Sequence, residues 1–195
     1  MKEKIREVAA HLFATQGYKA TSMQQIADAC GVTKAALYYH YTGKDELFLD
    51  IISETCSELI TLHRRYAESK LPVWEVLDEW VGKMINFFEM KKDQWIIIHK
   101  FLGESVKNKI FNIFRQFWKE SFKSMNTVLS RGMQEGDIRT DIDVRLLTAS
   151  IFGIMQGQFT TNVWEDIKIN DVHLKMNVQK VLKGGIASDA VKKDF

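Results

Sequence analysis

A chain of 195 residues has room for one ordinary domain, or for a small module followed by a medium one. With 46% hydrophobic and 27% charged residues it has the apolar material for a real core, which excludes a disordered chain. The net charge of +2 is uninformative as a total, but residues 1–44 hold six basic side chains (Lys2, Lys4, Arg6, Lys19, Lys34, Lys44) against three acidic ones (Glu3, Glu7, Asp28), a local +3 that leaves −1 for the rest and fits a DNA-binding head on a nearly neutral body.

The predicted elements are all helical. Proline ends helices, and Pro72 is the only one; no stretch alternates apolar and polar residues long enough to make a strand. A first helix is expected over about Lys2–Gln16, where Ile5, Val8, Ala9, Leu12 and Phe13 recur at three- and four-residue steps before Gly17. After the turn Tyr18-Lys19-Ala20, Thr21 or Ser22 offers a capping hydroxyl, and Gln24 or Gln25 can complete a capping box. The second helix is short, Met23 to Cys30, with Ile26 and Ala27 inward and Gly31 as its stop. Val32 fills the turn and Thr33 caps a third helix, Lys34 to His40, with Leu37 and Tyr41 inward. Two short helices joined by a tight glycine-containing turn are the signature of a helix-turn-helix, and Ala27, Ala35 and Ala36 let them sit close.

Gly43-Lys44-Asp45-Glu46 opens a fourth helix whose acidic first turn suits the helix dipole, and Leu47, Phe48, Ile51, Ile52, Thr55, Leu59, Ile60 and Leu62 carry it to about Glu68. Beyond Pro72, helix follows helix. Trp74, Leu77, Trp80, Val81, Met84, Ile85 and Phe88 stripe one, and Trp95–Leu102 is a dense apolar stretch broken by His99 and Lys100. Ile110, Phe111, Phe114, Phe117, Trp118, Phe122, Met125 and Leu129 stripe a long one that ends near Gly136. The last two are expected at 144–163 and 172–183, the latter stopping ahead of Gly184-Gly185, with a frayed polar tail from Ser188. The fold class is therefore all-α, with about nine helices: a three-helix, homeodomain-like helix-turn-helix domain over 1–46 and a larger helical domain over 47–195 for ligand binding and dimerisation.

Two cysteines, Cys30 and Cys56, follow no secretory signal, and no apolar run approaches the ~20 residues of a membrane span. A cytoplasmic protein with free, buried thiols and no membrane partner is expected. Their spacing does not suit zinc, His99 has no second ligand three or four residues away, and neither metal nor cofactor is expected. There is no nucleophile elbow, phosphate loop or paired metal motif, which argues against an enzyme.

The run Gly17-Tyr18, Thr21-Ser22, Ile26-Ala27, Cys30-Gly31-Val32-Thr33-Lys34-Ala35-Ala36-Leu37-Tyr38-Tyr39-His40-Tyr41, then Lys44 and Leu47, closely resembles the N-terminal domain of the tetracycline-repressor (TetR) family. The resemblance covers about the first 48 residues. Cys30 stands where that family more often has alanine, and Gly43 where a serine or asparagine cap is commoner. It implies a recognition helix lying in the major groove with Thr33, Lys34, Ala35 and Ala36 at the base edges. Lys34 can donate to guanine O6 and N7 or to phosphate, and the alanines can touch a thymine methyl. Tyr38 and Tyr39 suit phosphate or base contact, with half-buried packing the alternative for Tyr38. His40 and Lys44 are expected at the DNA backbone, and Thr21, Ser22 and Gln24 at a second phosphate clamp.

The resemblance also implies a homodimer on double-stranded, palindromic operator DNA, built by the last two helices and their copies. Phe152, Gly153, Met155, Gly157, Val178 and Leu182 are the candidate seam residues, the glycine pair permitting close approach. The central helices are rich in aromatics, which either fill the core or line a cavity for a small apolar or amphipathic effector. The candidate ligand residues are Trp80, Asn86, His99, Glu104, Arg115, Trp118, Phe122, Gln156, Phe159 and Thr160. Repressor is the expected sign, activator depending on where the operator lies. A constitutive DNA-binding protein with a filled core is the rival reading.

Overall fold

The computed structural model describes residues 1–100, 107–164 and 171–187; the side chains at 99, 100, 107, 158, 161–164 and 171–174 lie outside the description. Among the described residues there are nine helices: α1 (Lys2–Gln16), α2 (Met23–Cys30), α3 (Lys34–His40), α4 (Lys44–Glu68), α5 (Val73–Met90), α6 (Lys92–Lys100), α7 (Lys107–Glu135), α8 (Val144–Trp164) and α9 (Asp171–Ile186). The expected all-α architecture is what the chain adopts.

The chain forms two compact units, Met1–Leu59 with Lys91–Phe117, and Ile60–Met90 with Trp118–Phe195. α4 runs unbroken through residues 46 and 47, and in the first unit α1 packs against α6 as well as α2.

In the first unit local chemistry sets the helix ends between Gln16 and Lys34. Gly17 at φ +92° closes α1 with its N–H on the Phe13 carbonyl. Ser22 and Gln25 form a reciprocal capping box on α2, which settles both alternatives left open above. Gly31, left-handed at φ +69°, ends α2, and the Thr33 hydroxyl caps α3 through the Ala36 N–H at 3.1 Å. Ile5, Phe13, Ile26, Leu37, Leu47 and Phe48 are fully buried. Phe13, Tyr18 and Phe48 make a three-ring cluster with centroids 4.9–5.5 Å apart.

In the second unit α5 packs on α8 and α9. Gly132 is needed where α7 passes Val73 and Ile138, since a Cβ there would stand 2.9 Å from side-chain carbons of both. Arg131 donates to the carbonyls of Ser69 and Leu71 and so pins the turn around Pro72. Asp143 caps α8, accepting from the Arg145 and Leu146 N–H groups. Gly184-Gly185 does not stop α9 as expected. The helix continues to Ile186, whose carbonyl accepts the Arg139 N–H at 3.0 Å, and Ile138 bridges to Ala187.

Candidate functional site

The outer face of α3 is built from the first unit's core outward. Leu37 is fully buried, and Tyr41, 2% exposed, closes the helix with its N–H on the Leu37 carbonyl. The Tyr41 hydroxyl donates to Asp50 Oδ2 at 2.7 Å, and Arg6 reaches the same carboxylate at 3.4 Å. Burial and that hydrogen bond to Asp50 hold the Tyr41 phenol well above its ordinary range, so it stays a neutral donor. With its inner side anchored, α3 presents Thr33, Lys34, Ala35, Ala36, Tyr38 and Tyr39 to solvent, and His40 is half-buried. Tyr38 is 44% and Tyr39 86% exposed, so neither packs into the core. The Lys34 ammonium lies 5.8 Å from the Tyr38 ring, and the rings of Tyr39 and His40 meet at 5.2 Å. No acidic residue occurs in α3, so its exposed side offers a cation, phenols and methyl groups without a carboxylate to repel phosphate.

The second phosphate clamp expected at the start of α2 is only partly present. Ser22 and Gln24 are exposed, Gln24 donating to Asp28 at 2.8 Å. Thr21 is 1% exposed and its hydroxyl donates to the Gly17 carbonyl at 2.8 Å, so its side chain belongs to the core rather than to an outer clamp. Lys44 is half-buried. Its ammonium donates to the carbonyls of Tyr18 and Thr21 at 2.6 and 2.8 Å and lies 4.4 Å from the Tyr18 ring, strapping the α1–α2 turn to the start of α4.

In the second unit the expected ligand residues separate into groups. Trp80 is fully buried in a cluster with His63 and Phe152, with centroids 5.5–6.0 Å apart. Trp118 and Phe122 are half-buried and also meet the Phe152 ring, Phe122 stacked on it at 5.2 Å and Trp118 edge-on at 5.5 Å. Phe159 is buried against Phe88, and Gln156 is half-buried. Asn86 and Thr160 are exposed, and Arg115 is exposed in the first unit, so none of these three lines the unit's interior. The side chain of His99, and Glu104 entirely, lie outside the described residues.

Sequence reasoning missed His63 and Ser121. The signal was available: His63 occupies the inward step of α4 between Leu59 and Tyr66, all three buried. Its Nδ1 lies 2.9 Å from Ser121 Oγ, and burial pushes the imidazole pKa down to about 4, so it is neutral at ordinary pH. The indole N–H of Trp80, in ring contact with His63, is buried and has no hydrogen-bond acceptor among the described residues.

The expected seam residues also divide. Gly153 and Gly157 are exposed, with nothing within 4 Å of a Cβ placed on either. Phe152, Met155, Val178 and Leu182 are each at most 6% exposed, packed inside their own unit, so they do not offer surface to a second copy. Among the described residues, the large apolar side chains left outside on these helices are Leu146 on α8 and Met176 and Val181 on α9, which sequence reasoning did not single out for a seam. Among the described residues no group of His, Cys, Asp or Glu could hold a metal ion, and no helix is long and apolar enough to cross a membrane.

Residues 5–51 match the family model described as bacterial regulatory proteins, tetR family, and residues 62–185 match that of the YsiA-like protein C-terminal region. The fatty acid metabolism regulator protein of Bacillus subtilis (strain 168) is 25% identical over 186 residues, covering 94% of each chain. The transcriptional repressor KstR2 of Rhodococcus jostii (strain RHA1) is 27% identical over 145 residues, covering 74% of this chain and 71% of that protein. Among solved structures, the fatty acid degradation regulator FadR from Bacillus halodurans superposes with a TM-score of 0.80 at 22% identity, over 94% of this chain and 95% of that one. The regulator FadR from Bacillus subtilis in complex with stearoyl-CoA superposes with 0.78 at 24% identity, over 95% and 100%.

Proposed function

Since the chain belongs to the TetR family of bacterial regulatory proteins and is a helix-turn-helix transcription regulator, we propose that it represses as a homodimer on palindromic operator DNA and is released by a long-chain acyl thioester of coenzyme A. The observation that carries the DNA part is the outer face of α3, with Lys34, Tyr38 and Tyr39 exposed on a helix whose other side is locked by Leu37 and Tyr41. Such a helix enters a major groove with Lys34 toward a guanine edge or a phosphate and Ala35 and Ala36 toward thymine methyls. Ser22, Gln24 and His40 meet the flanking phosphates, and those contacts set register rather than sequence. Lys44 contributes by holding the α1–α2 turn in place.

One such helix reads too few base pairs, so two copies present theirs about one turn of DNA apart, roughly 34 Å. The exposed face of α8 with Leu146, Gly153 and Gly157, together with Met176 and Val181 of α9, supports a seam for that pairing. The effector reading draws on the Bacillus relatives, one of them solved with stearoyl-CoA, and on the aromatic cluster around Phe152. An acceptor on a ligand entering that cluster would satisfy the Trp80 indole N–H. The effector acts only to the extent that it prefers the arrangement that does not fit the operator. α4 is one continuous helix with residues in both units, and it is the element such a preference would act through.

The test begins with selection of bound duplexes from a random pool, followed by fluorescence anisotropy of the selected duplex with and without hexadecanoyl coenzyme A. Saturable binding that weakens steeply with salt and is reversed by the thioester is expected. Identical curves with and without it would remove the effector reading, and absence of a selected palindrome would remove the homodimeric operator reading.

A further inference from the structure

The outer face of α3 is chemically sparse at the end where a base edge is read. Thr33, Lys34, Ala35 and Ala36 make up its cap and first turn. Oγ1 of Thr33 is held at the helix end by the Ala36 N–H at 3.1 Å, and the two alanines carry no polar side-chain atom. Lys34 is therefore the one long polar side chain there and the only charge. A lysine is an awkward reader on its own. Its stem rotates freely, and ordering such a chain is among the larger side-chain entropy losses.

Tyr38 answers that difficulty. It stands one helical turn after Lys34 on the same face, and the Lys34 ammonium lies 5.8 Å from the centre of its ring. The backbone beneath the pair is fixed, because Leu37 is fully buried and the Tyr41 N–H closes on the Leu37 carbonyl. Tyr38 is 44% exposed where Tyr39 is 86% exposed, so it has packing that Tyr39 lacks and makes the steadier platform. α3 contains no carboxylate to draw the ammonium elsewhere, and among the described residues Lys34 makes no ion pair.

A ring suits this task better than an acid would. The negative face of the phenol attracts the cation through its quadrupole and leaves the N–H donors of the ammonium available. Those donors are what O6 and N7 of a guanine require. A carboxylate in the same place would occupy them and would also repel phosphate.

We propose that Tyr38 is a positioning residue: its ring holds the Lys34 ammonium for a base edge, so the base preference that Lys34 confers depends on the Tyr38 ring and not on the Tyr38 hydroxyl. The proposal rests on the reading of α3 as the recognition helix and deepens it. It gives the two neighbouring tyrosines different work, with Tyr39 left to meet the DNA directly.

The test is a double-mutant cycle read as base preference. A duplex is selected from a random pool with the full-length wild type and then varied one base pair at a time. Fluorescence anisotropy gives the affinities for wild type, Lys34→Ala, Tyr38→Ala, Tyr38→Phe and the double variant of Lys34→Ala with Tyr38→Ala. Lys34→Ala identifies the base pair that Lys34 reads. An exposed contact between a cation and a ring corresponds to roughly a two- to fivefold change in an equilibrium constant. Tyr38→Ala should lower the preference at that same base pair by about this factor and leave the preference at the other positions as it was. In the Lys34→Ala background it should lower that preference no further, because the two losses are one loss. Tyr38→Phe keeps the ring and should keep the preference, whatever the hydroxyl adds to overall affinity. Preference is a ratio between duplexes, so a variant that folds less completely still reports it. Loss of the preference in Tyr38→Phe as in Tyr38→Ala assigns the effect to the hydroxyl and overturns the proposal. Additive losses in the cycle make the two side chains independent contacts and overturn it too. Lys34→Ala weakening every duplex alike places the ammonium on a phosphate, which overturns the proposal and leaves the operator reading standing. A wild-type protein that selects no duplex overturns the recognition-helix reading itself.

Discussion

His63 offers a pH dependence that the structure makes quantitative. The ring is 2% exposed, faces Trp80 and Phe152, and is hydrogen-bonded to Ser121. Burial lowers its pKa from the ordinary 6.5 to about 4. Between those values the unfolded chain binds a proton that the folded chain refuses, so stability is full above about pH 6.5 and falls as the pH drops toward about 4. At about 1.4 kcal/mol per pH unit, the loss by about pH 4 comes to roughly 3 kcal/mol, a large share of a domain's stability. The perturbation is His63→Leu, which removes the titration while keeping an apolar side chain of similar volume. It orphans the Ser121 hydroxyl, but that cost is the same at every pH. Urea unfolding followed by tryptophan fluorescence, repeated from about pH 7.5 to about pH 4, then reads the gap between wild type and variant. Carboxylates that titrate in this range contribute equally to both proteins and cancel in the difference. The wild type should lose about 3 kcal/mol more than the variant across the window. Parallel curves would mean that the imidazole reaches water in the folded state, and the argument from burial would be wrong.

Three further outcomes follow from the geometry. Lys34→Ala and Tyr39→Ala should each weaken operator binding while sedimentation still shows the same oligomer; Lys34→Ala should also lower the slope of log affinity against log salt by about 0.9 if its contact is a phosphate. Ser22→Ala removes the hydroxyl half of the α2 capping box and should cost about 1 kcal/mol in thermal or urea unfolding, whereas Ser22→Asp should retain most of it. Gly132→Ala drives a methyl group into Val73 and Ile138 and should destabilise by about 1–3 kcal/mol, visible as a drop of several degrees in melting temperature.

The helix-turn-helix was legible because its boundaries are local. Ser22, Gln25, Gly31 and Thr33 each act within three or four residues of themselves, so spacing singles out Gly31 and Thr33 and narrows the capping box to Thr21 or Ser22 with Gln24 or Gln25. Thr21 and Lys44 were harder. Their chemistry suits phosphate, but the Gly17, Tyr18 and Thr21 carbonyls take them, in the case of Lys44 across more than twenty residues of chain. The face of α8 was not legible, because that helix is apolar nearly all round and its periodicity does not choose a side. Close-approach reasoning from Gly153 and Gly157 carried Phe152 and Met155 outward with them, whereas α8 turns those two into its own unit. Gly184-Gly185 looked like a stop until the pairing of Ile186 with Arg139 extended the helix through it. His99 drew attention as a histidine in an apolar run, while His63, at a plain core step, meets the rings of Trp80 and Phe152.

Both sulfurs bear on how the molecule can be handled. Cys30 and Cys56 lie in the same unit, each 2% exposed and unbonded, and burial drives the Cys56 thiol up to about 12. A thiol reagent in the bath reacts with such groups only when the surrounding helices part, since it needs both access and a thiolate. The native chain thus carries two built-in clocks for transient opening of its DNA-reading half. Slower labelling on adding an operator duplex would measure, without any engineered probe, how much that half tightens when it is held.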